Sequence, residues 1–424
     1  MQHYNKSVFD NGLKVVTAQM PGMQSVSLGI WIRVGGRYET KENKGISHYL
    51  EHLLFKGSKK FSCRKIKESI EGVGGALNGF TSEELTCYLA KMPADYTELA
   101  LDILADMVLN PLLAEKDIVK ERGVILEEIK MYKDLPQSFV HELLDELLWP
   151  DQPLGLSIAG TPESVSAMGK TQIESFCRKY YTSSNIVVSA AGLLKHDKII
   201  QRLKHIFSSK KSGAKNVFQG VVQQQPSAQL KLLDKDTEQT HLALGFHSFN
   251  REHPLKYAQT LLHVILGANM SSRLFNEVRE KRGLAYEIGT QIKRFDDTGA
   301  FVVHAGIDNT KALPMIKVVF QELSKIREDL VSADEFKRAK EFFLGQFRLA
   351  LEETMDHMLW MGESVSALDK VYSLKEVIAG VEKTSRADIR KAARLIFIDN
   401  AINMSLIGPL KNIEQDLYKQ LHIG

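Results

Sequence analysis

The chain has 424 residues, enough for two or three domains rather than a single core. Its 55 Lys and Arg against 52 Asp and Glu leave a formal charge of +3, without the basic excess of a dedicated nucleic-acid binder, so no nucleic-acid partner is expected. An apolar fraction of 44% with 25% charged residues is that of a soluble globular chain and excludes disorder and collagen-like repeats.

The N-terminal segment MQHYNKSVFDNGLKVV carries neither an apolar h-region nor an Arg-rich leader. No run approaches the ~18 apolar residues of a membrane span, so no membrane partner is expected. A cytoplasmic protein, or a mature organellar one, is the expectation. Alternation over residues 26–34 (VSLGIWIRV) predicts a strand. Cys63, Cys87 and Cys177 are odd in number and widely spaced, which fits neither a disulfide framework nor a cysteine zinc site. Three reduced thiols are expected.

The strongest local signal follows: His48-Tyr49-Leu50-Glu51-His52, within GISHYLEHLLFKGS. On a helix His48 and His52 stand at i and i+4 and present their imidazoles from one face. Two neutral imidazoles one turn apart can share a tetrahedral zinc, and Glu51 lies on the same side within reach of a metal-bound water. The order is H-x-x-E-H, the inverse of the thermolysin type. Two histidines satisfied by neighbours on an amphipathic helix are the competing reading.

Next, Gly74-Gly75-Ala76-Leu77-Asn78-Gly79-Phe80-Thr81 precedes a strand near 85–89 and by itself reads as a Gly-rich hairpin turn. A helix over about 115–132 then carries Glu121, Glu127 and Glu128. Glu121 and Glu128, seven apart, fall on one face about 20° out of phase, whereas Glu127 points elsewhere. A solvated acidic face competes with a ligand role, but Val124, Ile125 and Ile129 surround these carboxylates. Residues 185–194 predict a buried strand.

Residues 208–227 (SSKKSGAKNVFQGVVQQQPS) are polar and without periodicity, and divide the chain into a first domain at 1–208, a linker at 209–228 and a second domain at 229–424. The halves look like copies. Each opens with alternating strands, the second at 239–249 (QTHLALGFHSF), and each ends in an amphipathic helix, an Asn-containing turn and a buried strand closing on Gly. The expected fold class is α+β, two homologous domains from an internal duplication, each a mainly antiparallel sheet packed with helices. The counterpart of the H-x-x-E-H helix, residues 259–270 (QTLLHVILGANM), holds only His263, read as a core histidine, as are His241 and His247. One metal per chain is expected. In residues 271–289 (SSRLFNEVREKRGLAYEIG), Gly283 is placed to end a helix and deliver Tyr286 onto a strand. Its Arg and Lys cluster read alone is helix-dipole complementation.

Taken together, GISHYLEHLLFKG, ERGVILEEI and a Glu 76 residues beyond the second His (52 to 128) resemble the inverzincins, the pitrilysin and insulin-degrading enzyme superfamily. The resemblance spans nearly the whole chain and is closest to the short-chain branch with the mitochondrial processing peptidases and their bacterial relatives. It implies a zinc metalloendopeptidase in which His48, His52 and Glu128 ligate zinc, Glu51 is the general base and Glu121 orients a ligand histidine. It implies that Ala76, Asn78 and Gly79 lie on an edge strand onto which substrate adds, Gly79 standing where Ala is more usual. Arg279 and Tyr286 match the family pair that holds substrate and assists at the scissile carbonyl, with Arg282 the less favoured partner of Tyr286.

In that family two such two-domain units enclose a chamber. A chain with two copies is therefore expected to dimerise, as a homodimer with Arg279 and Tyr286 acting in trans, or as a heterodimer. The substrates implied are peptides or unfolded, presequence-like segments; Glu83, Glu84 and Glu127 would favour basic ones. A non-catalytic peptide-binding or scaffold subunit of the same fold is the alternative.

Overall fold

The computed structural model describes residues 4–423 except 209, 214, 215 and 412. The linker expected at 209–228 therefore includes three positions outside the described residues. The chain forms two compact units, one of Met1–Lys130, Ser157–Gln219 and Arg348–Tyr372, the other of Met131–Leu156, Gly220–Phe347 and Ser373–Gly424.

The first unit is built on strands β1 (Tyr4–Val8), β2 (Lys14–Gln19), β3 (Ser25–Ile32), β4 (Ala76–Thr81), β5 (Thr86–Pro93) and β6 (Ile186–Gly192). They form one sheet in the order β1-β2-β6-β3-β5-β4. Neighbours are antiparallel except β2 and β6, which run parallel. Central β3 is buried along almost its whole length because both of its faces are covered. Val26, Leu28, Ile30 and Ile32 enter the main core with helix α1 (Ile46–Leu54), while Trp31 on the opposite face packs with Met358, Met361 and Val365. Those three residues belong to the Thr354–Leu368 helix. That helix comes so close that a Cβ on Gly362 would lie 1.9 Å from Trp31 Nε1.

The second unit repeats the plan with β7 (Gln229–Asp234), β8 (Gln239–Ser248), β9 (Ala285–Arg294), β10 (Gly299–Asp308) and β11 (Asn403–Gly408). The order β7-β11-β8-β10-β9, with β7 and β11 parallel and the rest antiparallel, matches β2-β6-β3-β5-β4 strand for strand. The fold is α+β with two similar domains, and the duplicated topology is the imprint of a duplicated sequence.

The helices depart from the simple halves. Besides α2 (Cys63–Glu71) and α3 (Thr97–Leu109), the first half supplies α4 (Glu115–Asp134) and α5 (Pro136–Leu148). Helix α5 lies in the second unit, where Val140, Leu143 and Leu144 pack against Ala243, Ala300, Val302 and Ile407. The Thr354–Leu368 helix makes the reverse assignment and lies in the first unit. Each half thus contributes one helix to the other unit's sheet. Both faces of each sheet are apolar, and the helices next to a sheet in sequence cover only one of them.

Candidate metal centre

Helix α1 begins after a sharp turn. Gly45 has φ +92°, and a Cβ there would meet the Ala159 carbonyl oxygen at 2.6 Å, so glycine is required. The buried Glu39 carboxylate accepts from the Gly45 and Ser47 N–H groups at 2.9 and 2.8 Å, satisfying donors that a helix start leaves orphaned. Buried Lys44 lies 3.4 Å from Glu39 and donates to the Gly36 carbonyl at 2.9 Å. On the core face of α1, Tyr49, Leu50, Leu53 and Leu54 are buried, and the Tyr49 hydroxyl donates to the Ile118 carbonyl of α4. That face locks α1 against α4 and leaves His48, Glu51 and His52 half-buried on the other side.

There the two helices converge. His48 Nε2 lies 3.7 Å from Glu128 Oε1, and His52 Nε2 lies 3.4 Å from Glu128 Oε2. Among the described residues, His48, His52 and Glu128 each bring one ligand atom within 4.8 Å of the others. Donors about 2.0–2.1 Å from a shared tetrahedral ion stand about 3.3–3.5 Å apart, and the two histidine–Glu128 distances are close to that spacing. The donor types fit as well. Burial, aided by the neighbouring His52 and opposed by Glu128, lowers the His48 pKa to about 4, keeping the imidazole neutral and able to coordinate. For His52, burial is outweighed by its hydrogen bonds to Glu128 and Glu121, which lift its pKa above the usual value.

Glu121 does not join the three. Its buried carboxylate lies 3.2 Å from His52 Nδ1 and 2.7 Å from Lys56 Nζ, behind the ring rather than beside Nε2. Glu127 pairs with Lys130 at the surface. Glu51 faces the sheet, where its Oε2 accepts a 2.6 Å hydrogen bond from the Thr81 hydroxyl. Burial raises the Glu51 pKa, with the Thr81 bond and His52 pulling the other way. Sequence reasoning assigned no role to Thr81, Lys56 or Glu39. Thr81 and Lys56 stand within the quoted motifs, but their contacts are made across the fold.

Ala76, Asn78 and Gly79 lie on β4, the edge strand of the first sheet, paired with Lys91, Leu89 and Tyr88 of β5. The Gly79 N–H donates to Asn78 Oδ1 at 2.8 Å. A Cβ on Gly79 would lie 3.0 Å from the Phe55 ring, so glycine makes room for a larger neighbour there. Glu84 forms a buried ion pair with Arg37 at 2.7 Å and is not a surface charge.

Arg279 and Tyr286 belong to the second unit. Gly283 has φ +56° and follows the π-helical Phe275–Glu280, as a terminating glycine should. Tyr286 is 74% exposed on β9, and the Arg279 guanidinium carbon lies 5.5 Å from its ring centroid. Arg282 is held instead by Glu277 at 2.6 Å. His263 bonds Thr290 at 2.7 Å and His247 bonds the Leu148 carbonyl at 2.6 Å, so both are engaged structurally. The three cysteines are free.

A half-buried His-His-Glu cluster, with a carboxylate behind one histidine and another beside the pair, is the arrangement of an inverted-motif metallopeptidase. Residues 14–162 match the model of the insulinase family, peptidase family M16, and residues 167–343 match that of the M16 inactive domain. The chain is 36% identical over 415 residues to an uncharacterized zinc protease of Streptomyces coelicolor, covering 96% of this chain and 90% of that one. It is 34% identical over 403 residues to another of Bacillus subtilis, covering 95% and 98%. A protease from Helicobacter pylori shares the fold with a TM-score of 0.91 at 22% identity, over 96% of this chain and all of that one. The chain belongs to the M16 peptidase family, the pitrilysin-like superfamily.

Proposed function

We propose that the chain is a zinc-dependent endopeptidase acting on peptides or unfolded, presequence-like segments, in the manner of the processing peptidases. The convergence of His48, His52 and Glu128 on one point carries this reading. The relatives named zinc proteases support it. One zinc per chain is held by these three residues, with Glu121 orienting His52 through Nδ1 and Lys56 balancing its charge.

Zinc held there would supply a Lewis acid able to make a water acidic near neutral pH. Glu51 takes the proton of the attacking water and later gives it to the departing amine, and its burial brings it closer to that task. The peptide is held as an added strand along Ala76, Asn78 and Gly79, where main-chain bonding tolerates many sequences. Arg279 and Tyr286 steady the substrate and the scissile carbonyl from a second copy in a homodimer, or from a partner in a heterodimer. The expected compartment is the cytoplasm; among the described residues no helix is long and apolar enough to cross a membrane.

The test is hydrolysis of an unstructured basic peptide by the wild type and by Glu51→Gln at matched zinc occupancy. Turnover is expected to fall at least ~10³-fold, between the effect of losing one acid-base group and that of disabling the centre. Zinc content should stay unchanged. Two inert, zinc-loaded proteins would replace this reading with a peptide-binding or scaffold role.

A further inference from the structure

We infer that Thr81 is a positioning residue for Glu51, tying the base to the strand edge along which substrate extends; the inference rests on the peptidase reading above. Glu51 is carried by α1 and Thr81 is the last residue of β4. The hydroxyl of Thr81 spends its only donor on Glu51 Oε2 at 2.6 Å. Thr81 is itself held in register, opposite Thr86 on β5, and its branched Cβ restricts χ1. A glutamate on a helix has three rotatable bonds and could swing clear of the metal ligands. The Thr81 bond removes that freedom.

Two consequences follow. With Oε2 committed, Oε1 is the oxygen left to receive a proton. The proton leaves the attacking water for Oε1 as the carbon–oxygen bond forms, and passes to the amide nitrogen as the carbon–nitrogen bond breaks; Thr81 keeps its own proton throughout. Base and strand edge also share one anchor. Gly79 lies two residues before Thr81 on the same strand, so a peptide aligned along β4 is aligned with Glu51. A misplacement of about 1 Å in such a geometry costs ~10²-fold in rate.

The experiment compares zinc-loaded wild type, Thr81→Val and Thr81→Ser on an unstructured basic peptide. Thr81→Val is expected to lower kcat ~10–100-fold, with KM and zinc affinity by chelator competition unchanged. Thr81→Ser, which keeps the hydroxyl, is expected to restore most of the loss. Wild-type kcat in Thr81→Val, an equal loss in Thr81→Ser, or a loss carried by KM or by zinc would overturn the inference. A second measurement needs no turnover: the Tm of zinc-loaded Thr81→Val, Glu51→Ala and the double variant. Thr81→Val is expected to lower Tm when Glu51 is present and not when it is absent. Additive effects would overturn the link. If the wild type proves inert the peptidase reading falls, and this cycle still decides whether Thr81 anchors Glu51.

Discussion

Glu121 shows how much one side chain can do without touching a ligand's coordinating atom. It is buried between His52 Nδ1 and Lys56 Nζ, where its charge would favour a proton on Nδ1 and hold the ring's direction while Lys56 offsets the cost of burying it. Glu121→Gln keeps the shape and removes the charge. Zinc affinity in that variant, read by chelator competition, is expected to fall ~10–100-fold while the circular dichroism spectrum stays that of the wild type. His48 differs, for among the described residues its Nδ1 makes no hydrogen bond like the one Glu121 offers His52. The histidine motif and the seven-residue spacing of Glu121 and Glu128 were legible because helical periodicity is local. Periodicity did not say which carboxylate would face the histidines, since phase places both on one face; only the family resemblance assigned Glu128. The difference lies in how α4 is shifted along α1, which the Tyr49 contact to Ile118 holds in place.

Among the elements, matched strands of the two sheets have diverged. Edge strand β4 pairs only with β5 among the described residues, so no strand lies on its other side. On β9, the equivalent edge, the Thr290 N–H already donates to the Gly267 carbonyl at 3.3 Å. The sequence pattern read the Tyr286 segment as a strand but residues 74–81 as a Gly-rich turn, the edge strand there coming from the family resemblance, and it could not distinguish an open edge from a covered one, because the covering residue comes from a loop. The second unit also holds half-buried histidines at several elements: His141 on α5, His263 on the Lys256–Leu266 helix and His304 on β10. Burial lowers His141 and His263 to about 4, reinforced by Lys293 and His304 for the first and by Arg294 and His304 for the second. His304 is also lowered by burial, against a pull from Glu287, and Asp145 pairs with Lys293 beside them. These folded values lie below the usual 6.5, so the unfolded chain takes up protons first as pH falls. Their stabilising contribution is complete above about pH 6.5 and is lost progressively towards about pH 4. Urea midpoints at pH 7.5 and 5 should show the fall, and His141→Gln should shrink it.

At the scale of the whole molecule, the candidate machinery is divided. The metal cluster lies in one unit, and Arg279 with Tyr286 lies in the other. If a homodimer brings the pair in trans, Glu51→Gln and Arg279→Ala chains are each expected to be nearly inactive alone. Mixed after dissociation and reassembly, they should regain up to roughly a quarter of wild-type activity, because random pairing makes half the dimers mixed and each then has one intact site. Sedimentation equilibrium of the wild type should show a dimer. No recovery on mixing, with dimers present, would mean that each chain supplies its own pair.

The amino-acid order alone was sufficient for the i, i+4 histidines, the strands at 26–34, 185–194 and 239–249, the likeness of the two halves and the helix-ending Gly283. Helical and strand repeats are properties of neighbouring residues, so a linear reading reaches them. Features that join distant segments emerged only on folding. They are the Thr81 bond to Glu51, Lys56 behind Glu121, and the exchange of α5 and the Thr354–Leu368 helix between units. The physical reason is common to all three. Each satisfies a buried donor, charge or apolar face left open by its own segment, and which remote segment answers that need is set by packing in three dimensions.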